Sequence, residues 1–223
     1  MKKIALFLLY AIIATIAPLT LFAQNGVHNG HRYVDLGLPS GTKWADCNVG
    51  ASSPTEYGNY YAWGETLTKS NYDCDTYKFG NDKLTKYCTE SNYGKNGFKD
   101  NKTDLDLADD VAHTQWGGEW RIPTKEQFDE LIEYTKHKWV SINDKWGYLF
   151  TGRNGNSIFL PAAGGRYDTL LLDAGSLGYY WSRTLNAVYP DDAYGLYFDS
   201  GDMDVYGSYG SRGRGHTVRP VRP

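Results

Sequence analysis

The feature that most constrains this chain is a period-two alternation near its C-terminus. In Tyr194-Gly195-Leu196-Tyr197-Phe198-Asp199 the apolar Leu196 and Phe198 alternate with Tyr197 and Asp199. After Ser200-Gly201 the pattern resumes in Asp202-Met203-Asp204-Val205-Tyr206, with Met203 and Val205 on one side and Asp202, Asp204 and Tyr206 on the other. Successive strand residues face opposite ways, so the segment predicts strands with one core face and one Tyr/Asp face in solvent. A face that merely solubilises a strand favours Lys, Glu and Thr. This one has none of them, and its residues match the palette of antibody loops. Tyr in strands and Asp near turns are also ordinary in secreted β domains, so a fixed aromatic surface is the competing reading.

The rest of the C-terminal half follows the same logic. From Trp139 onward the chain is all strand and turn, with residues 146–151 and 157–161 forming a hairpin around Arg153-Asn154-Gly155. Its Asn-Gly is a strong turn signal. Upstream, residues 33–44 predict two short strands joined by Pro39-Ser40-Gly41, and residues 57–64 a further strand or a packed aromatic loop. Residues 66–102 mix Asn, Asp, Lys, Tyr and Gly and predict a long surface insertion without regular elements. Two helices follow. Residues 104–115 carry Leu105, Leu107, Ala108, Val111 and Ala112 on one stripe that ends at Gly117-Gly118. Thr124 and Gln127 have capping-box spacing and open a second helix that runs to about Lys136, with Phe128, Leu131 and Ile132 on its buried face. No tandem repeat or clear linker divides the chain, and 223 residues are enough for one well-formed core.

The first 23 residues differ from the rest. Lys2 and Lys3 precede an apolar run over residues 4–17, followed by Pro18 and a small residue, Ala23, before Gln24. That order predicts a signal peptide over residues 1–23 and a mature domain over 24–223. An uncleaved membrane anchor is the rival, because the apolar run is long; Pro18 and Ala23 favour cleavage. No Cys stands at the cut to carry a lipid. The expected product is secreted, either periplasmic or on the cell surface, with no membrane span after removal of the leader. The net charge of −3, with no Lys/Arg patch, argues against a nucleic-acid partner.

Export permits a disulfide, and Cys74 with Cys88 would close a short loop, leaving Cys47 as a small buried hydrophobe. No CxxC or Cys/His spacing suggests zinc. Nothing calls for a cofactor or metal. Calcium would need converging oxygens, and strand-alternating Asp199, Asp202 and Asp204, or the pair Asp191-Asp192, do not converge by themselves. No triad spacing links His28, His31, His113, His137 or His216 to a nucleophile, so an enzyme is not expected.

Several motifs resemble a known family. They are Tyr33-Val34-Asp35-Leu36-Gly37-Leu38-Pro39-Ser40-Gly41-Thr42-Lys43-Trp44, Tyr60-Tyr61-Ala62-Trp63-Gly64-Glu65, Trp116-Gly117-Gly118-Glu119-Trp120-Arg121-Ile122-Pro123-Thr124, Phe159-Leu160-Pro161-Ala162-Ala163-Gly164, Tyr180-Trp181-Ser182 and Thr217-Val218-Arg219-Pro220-Val221. Together they resemble the Fibrobacter succinogenes major paralogous domain family, which is related to formylglycine-generating-enzyme-type C-type lectin folds. The resemblance implies an α+β, C-type lectin-like domain with two helices packed on a twisted, irregular antiparallel sheet. The thiol chemistry of those enzymes is not implied, since no Cys follows Cys88.

The tail also resembles the variable protein of a diversity-generating retroelement, in which adenine positions are randomised and Asn codons become many residue types. Such segments lie between motifs like residues 159–164 and 218–221, which here implies a variable, ligand-binding segment over about 167–215. The implied binding positions are Tyr167, Asp168, Leu172, Asp173, Leu177, Tyr179, Arg183, Val188, Tyr189, Asp191, Asp192, Tyr194, Tyr197, Asp199, Asp202, Asp204, Tyr206 and Tyr209. Each can arise from an Asn codon, and several coincide with the outward strand positions. Trp181, Leu196, Phe198, Met203 and Val205 would hold the backbone. The expected partner is a protein or glycan on another cell or phage. A structural envelope protein without a specific ligand is the alternative.

Overall fold

Turn chemistry sets most of the strand pairing. Asn29 and Gly30, both at positive φ, join β1 (Gly26–His28) to β2 (His31–Asp35), as a tight two-residue hairpin requires. Around Pro39-Ser40-Gly41 the chain reverses, with Gly41 N donating to Leu38 O at 3.0 Å. It then forms β3 (Lys43–Ala45), where Trp44 lies opposite Val34. These are the two strands expected there. The computed structural model describes residues 25–80, 82–207 and 211–223. The expected leader over residues 1–23 and the candidate position Tyr209 lie outside the described residues.

Asp110 caps α1 (Val111–Trp116): its carboxylate accepts from His113 N at 3.1 Å and from Ile122 N at 2.9 Å. Gly117, at φ 70°, stops this helix after six residues. The helix α2 (Lys125–Tyr134) opens on the expected capping box, with Thr124 Oγ1 accepting from Gln127 N and Thr124 N donating to Gln127 Oε1. Next, β4 (Lys136–Ile142), β5 (Lys145–Thr151) and β6 (Ser157–Pro161) form an antiparallel meander, the second turn of which holds Asn154-Gly155 as expected. A two-stranded ribbon, β7 (Gly165–Tyr167) with β8 (Leu170–Leu172), precedes β9 (Gly178–Leu185), β10 (Ala193–Phe198) and β11 (Met203–Tyr206). The short β12 (Val221–Arg222) returns to pair with β3.

The expected α+β, C-type lectin-like arrangement of two helices on one irregular sheet is overturned. Among the described residues the fold is mostly β, with twelve short strands split among four small sheets, ordered β1-β2-β3-β12, β4-β5-β6, β7-β8 and β11-β10-β9. Helix α2 packs on β9, β10 and β11, whereas α1 buries Val111, Ala112 and Trp116 in a cluster built largely from loops. Six residues are too few for a helix to act as a layer. The expected stripe over residues 104–115 overstated it: only its end is α-helical, after a 3-10 turn at Leu107–Asp109.

Two hydrophobic clusters share β9 as their partition. Trp181 belongs to the first, with Trp63, Trp120, Tyr61, Tyr72 and Tyr87; its neighbour Tyr180 belongs to the second, with Trp44, Phe128, Phe150, Leu196 and Phe198. Alternation along one strand therefore feeds both cores. Residues 57–64 form the packed aromatic loop of the two alternatives expected, contributing Tyr60, Tyr61 and Trp63 to the first cluster.

Two further expectations are corrected here. The segment 66–102 is no surface insertion, because Tyr72, Tyr77, Phe79, Leu84, Tyr87 and Cys88 are buried. Its polar residues hid the cause, which is Arg212. That side chain is fully buried, stacks 4.8 Å over the Trp63 ring, and donates to Tyr77 Oη, Tyr87 O, Lys86 O and Pro190 O at 2.7–3.0 Å. The cation is satisfied by neutral oxygens and ring faces, and it ties the irregular segment to the C-terminal one. The expected Cys74–Cys88 disulfide is absent. All three cysteines are free, with Cys74 Sγ facing Ser211 Oγ at 3.4 Å and Cys88 Sγ donating to Glu90 O at 3.1 Å. The segment that would bring them together is instead held by packing on Arg212. Cys47 is half-buried beside the first cluster, as expected of a small hydrophobe.

Candidate functional site

The sheet β9–β10–β11 presents the alternation predicted from sequence. Leu196, Phe198 and Val205 are buried against α2 and the meander. On the opposite face Tyr197 lies directly across from Tyr179 on one side and Asp204 on the other, and Tyr206 lies across from Gly195. Gly178 leaves room for the Phe198 ring, since a Cβ there would come within 2.1 Å of it.

An aromatic row crosses the three strands. Ring centroids of Tyr206 and Tyr197 are 6.4 Å apart, those of Tyr197 and Tyr179 5.4 Å, and those of Tyr179 and His216 5.1 Å; His216 then stacks on Trp181 at 4.1 Å. Offset and edge contacts at these spacings are favourable for aromatic rings. His216 is buried between Tyr179 and Trp181. Its burial, reinforced by the charge of Arg214, drives its pKa down to about 3, so it is a neutral member of the row.

Beside the row lies a cleft of about 210 Å³ under the β7–β8 ribbon, lined by Tyr167, Leu172, Asp173, Tyr179, Arg214 and His216 among others. Tyr167 and Leu172 are exposed on the ribbon, as are Leu170 and Leu171. The structure thus brings together Tyr167, Leu172, Asp173, Tyr179, Tyr197, Asp204 and Tyr206, with Asp199 reached by the Tyr197 hydroxyl at 3.5 Å.

Several candidate Asp residues also shape the backbone. Asp199 accepts from Gly201 N and Asp202 N across the β10–β11 turn, and those bonds hold its carboxyl below the usual carboxylate range. Asp202 and Asp204 accept from the backbone of the residues that follow them. Asp168 and Asp173 sit at φ 50° and 59°, in the left-handed region that Asn and Asp tolerate best. Leu177 is half-buried at the turn entering β9, its amide bonded to Asp173 O.

The remaining candidates stand apart from the row. Val188, Tyr189 and Asp191 are exposed on the loop between β9 and β10, while Asp192 is half-buried there. Its carboxyl is pushed up to about 6 by burial and then by the charge of Asp191. Arg183 lies 3.7 Å from Asp104, and Tyr194 packs toward α2 with Lys125 Nζ over its ring. None of the described candidate positions is buried, whereas Gly178, Tyr180, Trp181, Ser182, Leu185, Pro190, Ala193, Leu196, Phe198 and Val205, which separate them, all are.

Sequence reasoning missed Arg214 and His216, which complete the cleft and the row. The spacing Gly213-Arg214-Gly215-His216 was the available signal, since glycines flanking a polar residue mark close backbone approach. Among the described residues no group of three or more His, Cys, Asp or Glu is placed to hold a metal ion, and no helix is long and apolar enough to cross a membrane.

The Lcl C-terminal domain family model matches residues 38–222, and the chain belongs to that family. No curated protein and no solved structure matches it.

Proposed function

We propose that this member of the Lcl C-terminal domain family is an exported, non-enzymatic ligand-binding protein whose recognition face is the Tyr179–Tyr197–Tyr206 row with its Asp-rich rim. The observation that carries the reading is the separation of positions. Every described residue implied to vary reaches solvent, while Tyr180, Trp181, Leu185, Ala193, Leu196, Phe198 and Val205, which alternate with them on β9, β10 and β11, are packed in one of the two clusters. A sheet built this way tolerates exchange of its outward set while its backbone stays fixed. Tyrosine supplies large, rigid contact area at low entropic cost, and Asp adds hydrogen bonds at the edge.

The same properties favour binding over catalysis. The buried His216 stays neutral far below physiological pH, and burial pushes the Cys47 thiol up to about 11, so neither is poised as a base or nucleophile. On this reading the partner is a protein or glycan on another cell or phage, met outside the cytoplasm after loss of the leader. Nucleic acid is not its target, and the mature protein does not span the membrane.

Deep sequencing of the 3′ end of the gene across a growing population tests the diversified face. Substitutions confined to codons 167–215, at adenine positions of a nearby template, are expected. An invariant sequence without a template would leave a fixed, structural envelope surface as the better account. Once a ligand is captured, Tyr197→Ala and Tyr206→Ala should abolish binding with the fold intact.

A further inference from the structure

The cleft under the β7–β8 ribbon has chemistry of its own. Its volume of about 210 Å³ is below the roughly 300–1,000 Å³ of sites for drug-sized ligands, so its occupant is smaller. Tyr167, Leu172 and Tyr179 give it apolar walls, and its charged members are Arg214, Asp173 and Arg166. The Arg166 guanidinium is engaged over the Tyr60 ring at 5.3 Å. Arg214 lies 5.3 Å over the Tyr167 ring, and its Nε–H is buried with no acceptor among the described residues. A guanidinium in the wall of a cleft is matched by a carboxylate, which it can grip with two parallel bonds. His216, neutral in the wall, adds no further positive charge.

In the same lining Asp173 supplies the opposite sign. Its backbone carbonyl is committed to Ser176 N and Leu177 N, and the residue is exposed at the rim. Arg214 also acts on the half-buried Asp192, itself beside Asp191, and these carboxylates repel a polyanion and favour a ligand with one anionic and one cationic group.

We propose that this cleft binds a free α-amino acid with an apolar side chain, its carboxylate on Arg214, its ammonium on Asp173, and its side chain against Tyr167, Leu172 and Tyr179. The proposal rests on the reading of this face as a binding surface, and it names one ligand class for it. Titration calorimetry of the intact exported protein with L-phenylalanine and L-leucine is the test, alongside 3-phenylpropionate, phenethylamine and N-acetyl-L-phenylalanine. Saturable binding of the amino acids is expected, weakened at least tenfold in each analogue that lacks one charge. Arg214→Gln and Asp173→Asn should each lose at least tenfold, and Val27→Ala, exposed on β1 and outside both the cleft and the aromatic row, should lose nothing.

No heat with either amino acid would overturn the proposal. So would equal binding of N-acetyl-L-phenylalanine to the wild-type protein, a comparison that needs no folded variant. Codon variation in the population without amino-acid binding removes this proposal alone. Amino-acid binding by a protein whose gene is invariant removes the diversified-surface reading alone.

Discussion

Lowering the pH from 8 to 5 places a proton on a free imidazole but not on His216. Its ring is sandwiched between Trp181 and Tyr179, and its backbone is tied on both sides to Tyr61, at 3.1 Å through the amide and 2.9 Å through the carbonyl. Burial drives the pKa from the ordinary 6.5 down to about 3. The folded-state pKa of this base is depressed, so between those values the unfolded chain binds the proton and the fold does not. Stability is therefore full above about pH 6.5 and falls as the pH drops toward 3. At pH 5 the unfolded side chain is about 1.5 units below its pKa, which at ~1.4 kcal/mol per unit costs the fold about 2 kcal/mol. Asp192 acts oppositely. Its carboxyl, raised from 3.8 to about 6, keeps its proton in the fold while the unfolded chain has lost it, so stability falls as the pH rises between those values and acidification across that window restores it. Because Asp192 is half exposed, solvent screens its contribution.

The two effects are separated by His216→Phe, which keeps a flat ring between Trp181 and Tyr179 and removes the titration. Urea unfolding of both proteins at pH 8 and pH 5 is the assay, read as the difference of differences so that every other titrating group cancels. The wild type should lose about 2 kcal/mol more than the variant on acidification. Equal losses would refute the reasoning, because they would mean that His216 protonates as freely in the fold as in the unfolded chain.

Other perturbations follow from packing. Gly178→Ala drives a methyl into the fully buried Phe198 ring and should cost about 2–3 kcal/mol by chemical denaturation. Gly201→Ala, whose Cβ would meet nothing closer than 3.7 Å, should stay within about 0.5 kcal/mol of the wild type. Arg212→Ala removes the donor from three buried oxygens and one half-buried oxygen and should cost at least about 3 kcal/mol, with accelerated proteolysis within residues 66–102 as the second readout. Thiol titration of the denatured, unreduced protein should count three free thiols; a count of one would mean that a disulfide joins two of them.

What was legible in the sequence was local. The Thr124/Gln127 capping box, the Asn154-Gly155 hairpin and the alternation of Leu196 and Phe198 with Tyr197 each depend on residues within a few positions of one another. Backbone geometry at that range is decided by propensity and hydrogen bonding. The outward placement of Tyr197 and Tyr206 came from the same period-two rule, whereas Tyr179 was named only through the resemblance. The stripe over residues 104–115 was misjudged because 3-10 and α turns share much of their periodicity, and the signal that decides the length is the buried Asp110 carboxylate reaching Ile122.

Long-range contacts decided the rest. The sequence alone determined which faces of the C-terminal strands are apolar, where the sharp turns fall, and which residues reach solvent there. Only the tertiary structure decided that the strands divide into four small sheets. The same holds for the polar segment 66–102 becoming core, and for Arg214 and His216 joining Tyr167 and Tyr179 around one cleft. Arg212 bridges positions more than 120 residues apart to buried oxygens. A cation buried on neutral acceptors leaves no local pattern, since its partners are defined by the chain path and not by neighbouring residues.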